Sequence, residues 1–116
     1  MDKELLAAIE AEGWSVRSSM QDGNHLADIA IFSPAGEDFC PTIWYGGGSA
    51  EEFIDGLESF IEGYDVDEET YLWLDSSGHG RNGAPYHIKD ILEDKEWSLN
   101  KMKSLAAKLK EKFINK

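Results

Sequence analysis

Between Ser18 and Gly80 the chain has no lysine and no arginine, while 14 of its 23 acidic residues fall in that stretch. Such a one-signed field repels nucleic acid and acidic membrane surfaces and attracts basic protein surfaces. Cysteine is almost absent as well. Cys40 stands alone, so no intramolecular disulfide can form, which suits a reducing compartment. No run approaches the roughly 18 apolar residues that a membrane span needs. The first residues, MDKELLAAIEAEG, form an acidic amphipathic segment with no basic lead of a secretory signal. These absences point to a cytoplasmic protein with neither a membrane nor nucleic acid as a direct partner.

What is present argues for one folded domain over residues 1–116. The 116 residues are 41% hydrophobic and carry 13 aromatic side chains, enough for a core without metal or disulfide support. The net charge of −12 is unevenly spread: residues 98–116 hold six lysines against Glu111 alone. An acidic body thus ends in a basic helical segment.

Asp2 can cap a helix running to about Glu12, with Leu5, Leu6 and Ile9 on one stripe and Gly13 as its stop. Trp14, Val16 and Met20 then alternate with Ser15, Arg17 and Ser19, the period of a strand. Asp22-Gly23-Asn24 supplies a turn, Leu26–Phe32 resumes an extended pattern, and Phe39–Tyr45 gives a third run after Ser33-Pro34-Ala35-Gly36. Short strands joined by short turns predict an antiparallel meander, and Pro41 places the third strand at an edge. Ser49 and Glu52 make a capping box ahead of a helix with Phe53, Ile54, Leu57, Phe60 and Ile61 on its buried face. Asp65 and Glu68 repeat that spacing before Tyr71–Leu74, whose acidic start favours a short helix over a strand. A last helical region is expected from about His87 to Asn115, with Leu99, Met102, Ala106, Leu109 and Phe113 as a stripe near heptad spacing. The fold class is α+β, a three-stranded antiparallel meander packed against several helices.

Three features bear on function. Glu51, Asp55, Glu58 and Glu62 fall on the face of the Ser49 helix opposite its apolar stripe, as neighbours about 5–6 Å apart. Asp65, Asp67, Glu68 and Glu69 extend the set. A row of carboxylates can imitate backbone phosphates and occupy the Lys/Arg groove of a DNA-binding protein, although charge runs also serve as plain solvated surface. Secondly, Gly46-Gly47-Gly48-Ser49 precedes a helix, but it lacks the Gly-Lys-Ser/Thr ending of a phosphate loop, and Glu51 and Glu52 stand where a phosphate would sit. It reads as a strand-to-helix joint. Thirdly, the segment from Asp75 to His87 is chemically rich: His79 could act as acid or base, Arg81 could hold an anion, and Arg81, Asn82 and Tyr86 together could form a contact loop. No nucleophile stands at a diagnostic spacing from them. Cys40, His79 and His87 have no known zinc spacing, so neither metal nor cofactor is expected. The tryptophans Trp14, Trp44, Trp73 and Trp97 are expected to pack in the core, with a recognition patch as the alternative.

The run Asp65–Asp75, followed by Gly78-His-Gly-Arg-Asn-Gly-Ala-Pro-Tyr86, resembles small acidic proteins of bacterial phages and conjugative elements, over roughly residues 60–116. Their genetic setting is similar to that of antirestriction and anti-CRISPR proteins, several of which are DNA mimics. The resemblance implies such a setting and transfers no functional residue. The residues and the resemblance together lead to a non-enzymatic acidic inhibitor or adaptor that binds a basic, nucleic-acid-binding protein. An enzyme built on the His79–Arg81 loop is one rival. A self-associating accessory protein, dimerising through the Leu99–Phe113 stripe of the C-terminal helix, is another.

Overall fold

A computed structural model describes residues 1–34, 36, 38–75 and 88–114, with side chains up to residue 70 and again from residue 91. The elements run α1 (Lys3–Ala11), β1 (Ser15–Gln21), β2 (Asn24–Phe32), β3 (Asp38–Phe39), β4 (Thr42–Trp44), α2 (Ala50–Glu62), α3 (Val66–Asp75) and α4 (Ile88–Phe113). The class is α+β, with α1 and α2 packed on an antiparallel sheet, α4 packed against both, and α3 against α4. Among the described residues no helix is long and apolar enough to cross a membrane.

The local signals explain most boundaries. The Asp2 carboxylate accepts the amides of Glu4 and Leu5, which starts α1. Gly13, at φ +95°, lets the chain leave the helix in a conformation closed to most side chains. Asp22 and Gly23 both have positive φ and form a two-residue hairpin loop between Gln21 and Asn24, the geometry that matches strand twist. Asp65 Oδ1 accepts the amides of Asp67 and Glu68 and starts α3, so the Tyr71–Leu74 run is helical.

The expected meander is present, and its third run is cut into β3 and β4 at Cys40-Pro41, so the sheet has four strands. Both pieces nevertheless pair with β2 in one register: Ile31 opposite Phe39, and Ala27 opposite Ile43. Ile29 N–H donates to the Pro41 carbonyl at 3.0 Å. Pro41 has no N–H to return, so the ladder loses a bond there and the strand assignment breaks while the backbone continues.

The core lies between sheet and helices. Leu5 and Ile9 of α1, Ala27 and Ile29 of β2, Ile43, Tyr45, and Phe53, Ile54 and Leu57 of α2 meet Met102, Leu105, Ala106 and Leu109 of α4. Each large side chain buried this way contributes about 1.5–3 kcal/mol relative to exposure. Trp14 belongs to this core and tilts against Phe39 at 6.2 Å. The α4 stripe differs from the expected one: Leu105 joins it, while Leu99 and Phe113 only flank it, partly buried. Nearer its start, α4 buries Asp94, Lys95 and Ser98 beside Ile91, so its inward line is mixed in one half and apolar in the other. Ser98 Oγ satisfies itself on the Asp94 carbonyl, one turn back. Met102, Ala106 and Leu109 of the expected stripe are taken up by the chain's own core, whereas Leu99 and Phe113 stay partly exposed.

Candidate functional site

Helix α2 holds the acidic face in place through both its start and its inner side. Ser49 Oγ accepts the Glu52 amide at 3.1 Å and donates to the Glu52 carboxylate at 2.9 Å. The other Glu52 oxygen accepts the Gly47 amide at 2.8 Å. These bonds, the Gly47 one foremost, hold the Glu52 carboxyl below its ordinary pKa. The carboxylate fills the position that an anion would take at this helix start, which is the physical reason the glycine run is a joint. His25 packs on the same joint: a Cβ on Gly48 would lie 3.0 Å from its ring, and its ring centroid stands 5.4 Å from that of Tyr45.

On the inner side Phe53, Ile54 and Leu57 are buried, and Phe60 is only partly buried, less than its spacing predicts. Gly56 touches β4 so closely that an added Cβ would fall 2.3 Å from the Trp44 carbonyl oxygen. Glycine is thus required here by close approach, and that contact fixes the rotation of α2 about its axis.

The rotation turns Glu51, Asp55 and Glu62 outward, all exposed. No lysine or arginine among the described residues reaches them. Glu58 differs: its carboxylate meets Lys110 of α4 at 2.5 Å, with both side chains about 40% exposed. The four carboxylates span about 16 Å of helix, one per roughly 5.5 Å of axis, against one phosphate per about 3.4 Å on a DNA strand. The row is therefore sparser than a phosphate strand but similar in scale. Asp65 is committed to capping α3, Asp67 and Glu68 are exposed, and Glu69 is half-buried. Between α2 and α4 runs an open groove of about 260 Å³, walled by Glu58 and Glu62 on one side and Lys103 and Lys110 on the other. It falls short of the roughly 300–1,000 Å³ typical of small-molecule pockets.

Other expected residues are dispersed. Asp75 closes α3, whereas His79, Arg81, Asn82, Tyr86 and His87 lie outside the described residues. Cys40 is an exposed thiol on the sheet face away from the helices. Its pKa is raised by partial burial and then by Asp28 and Asp38, with Arg17 acting the other way. Among the described residues no three His, Cys, Asp or Glu side chains gather as a metal ion would require. The expectation that the tryptophans pack inside holds at Trp14, is half met at Trp97, falls outside the described side chains at Trp73, and fails at Trp44, which is 50% exposed on that same outer face. Phe32 lies there too, 70% exposed. The sequence carries a signal for this face: Leu26, Ala30 and Phe32 are apolar in one strand phase while Ala27, Ile29 and Ile31 are apolar in the other. Only the second phase meets helices.

No protein-family model matches the chain, and no curated protein and no solved structure matches it.

Proposed function

We propose that this protein is a non-enzymatic acidic inhibitor or adaptor that engages a basic, nucleic-acid-binding protein through the carboxylates of α2 and the start of α3. One observation carries the reading. Glu51, Asp55 and Glu62 stand in solvent on one helix face with no ion pair among the described residues, although a lysine-rich helix packs beside them and, of these residues, pairs with Glu58 alone. Leaving like charges at neighbouring helical positions unrelieved costs some helix stability. A basic partner would recover that cost, and each exposed pair it formed would add about 0.2–1 kcal/mol. The affinity would come from the group acting together and from faster encounter, both weakened by salt. The setting that fits is the cytoplasm, where the exposed Cys40 stays a thiol.

The test uses the immobilised protein against nuclease-treated bacterial lysate. Nucleic-acid-binding proteins should be retained at low salt and released both by high salt and by added duplex DNA. The variant Glu51→Lys/Asp55→Lys/Glu62→Lys, which spares the Glu58–Lys110 pair, should retain none of them while melting like the parent. Retention that survives this triple reversal would reduce the face to solubilising surface.

A further inference from the structure

The two edges of the sheet differ in their protection. On the β3/β4 side the strands are short, Asp38–Phe39 and Thr42–Trp44, and Asp38 adds charge, devices that discourage a further strand. On the other side, β1 runs from Ser15 to Gln21 without proline, and all its residues but Val16 are exposed. The two-residue loop makes Gln21 and Asn24 a hydrogen-bonded pair, and the alternation of an antiparallel ladder then assigns Ser19, Arg17 and Ser15 to β2 as well. Val16, Ser18 and Met20 therefore direct their N–H and C=O groups away from the sheet. Among the described residues none of these groups has a hydrogen-bond partner.

The strand is also the place where the acidic chain can meet itself. Ser15–Gln21 contains Arg17 and no acidic residue in a protein of net charge −12. The acidic helix α2 packs on β4, across β2 from β1. We infer that β1 pairs with β1 of a second copy, antiparallel about a twofold axis at Ser18, extending the sheet through both molecules. This register forms about six backbone hydrogen bonds and sets Val16 of each copy opposite Met20 of the other. Met20, a thioether side chain 60% exposed in the single chain, thereby gains an apolar neighbour. Arg17 faces Ser19. Shifting the register toward the strand start would set Arg17 against Arg17, and shifting it the other way would set Val16 against Asp22 of the turn. The contact is a single strand wide, at the low end of interface size, so the dimer is weak and concentration-dependent. It leaves both acidic faces open.

Sedimentation across micromolar to near-millimolar protein, combined with amide exchange by NMR, tests this. A concentration-dependent dimer is expected, tightened by added salt because salt screens the repulsion between two acidic bodies. That sign is opposite to the one expected for binding of a basic partner, so the two readings fail separately. Protection should rise with concentration at the amides of Val16, Ser18 and Met20, and stay constant at Arg17 and Ser19. Ser18→Pro removes an N–H that points off the sheet, so the monomer should fold and self-association should weaken at least about tenfold. Met20→Lys, an exposed substitution, should do the same independently. A monomer over the whole range, or a dimer indifferent to both substitutions, overturns the inference.

Discussion

Helices α2 and α4 lie side by side and contribute to one core, yet they treat charge in opposite ways. Among the described residues Glu51, Asp55 and Glu62 of α2 face solvent with no ion pair, while Glu58 meets Lys110 and Glu52 is held in the helix cap. Two lysines of α4 find local apolar company: Lys101 lies over the Trp97 ring at 5.9 Å, and Lys112 over the Phe113 ring at 5.8 Å. Packing a basic helix against an acidic one has not neutralised the acidic one. Rotation explains the difference. The Gly56 contact with Trp44 and the burial of Phe53, Ile54 and Leu57 orient α2, and that orientation points most of its carboxylates away from α4. Geometry set by the core decides which charges remain available at the surface.

Substitutions on the two sides of α2 should sharpen that contrast. Leu57→Ala removes a fully buried side chain and should lower unfolding free energy by about 2–5 kcal/mol in denaturant titration. Gly56→Ala forces a Cβ against the Trp44 carbonyl and should cost about 1–3 kcal/mol, with the α2–β4 contact loosened in amide exchange. A neutral result there would break the claim that this approach sets the helix rotation. Ser49→Ala removes the cap and should cost about 0.5–2 kcal/mol.

Acid should find the same cap. Glu52 has a folded pKa below its ordinary value, so its contribution is complete at neutral pH and down to the ordinary glutamate range. It is then lost as pH falls through the depressed value. Stability of Glu52→Gln should accordingly fall less steeply than that of the parent at acid pH. The smallest effect belongs to the charge pair that joins α2 and α4 among the described residues. Lys110→Ala should cost under about 1 kcal/mol, because both partners are substantially exposed and screened.

Much of this was legible in the chain where the signal is local. Asp2, the Ser49–Glu52 box, Asp65 with Glu68, and the Asp22-Gly23 turn each work through a hydrogen bond or φ angle a few residues away, and each is seen in place. What depends on distant partners was not. Pro41 marks an edge, but its splitting of the third strand depends on whether the position of its missing N–H faces β2 or solvent. Asp94, Lys95 and Ser98 are polar by composition, and only the packing of α4 turns them inward. Trp44 is apolar by composition, and only the one-sided placement of the helices leaves it in solvent. Glu58 is indistinguishable in sequence from Glu51, Asp55 and Glu62. Its pairing exists because Lys110, some fifty residues later, happens to lie across the groove.

The central claim is that the unpaired carboxylates of α2 stand in for phosphates on a basic protein. Its most direct test is competition by fluorescence anisotropy: labelled duplex DNA bound to a retained DNA-binding partner, titrated with this protein at increasing salt. Displacement of the DNA should be complete at low salt, fade as salt rises, and vanish for Glu51→Lys/Asp55→Lys/Glu62→Lys while the thermal melt of that variant stays close to the parent's. A ternary complex in which DNA and this protein bind together, or displacement that the triple variant performs equally well, would contradict it.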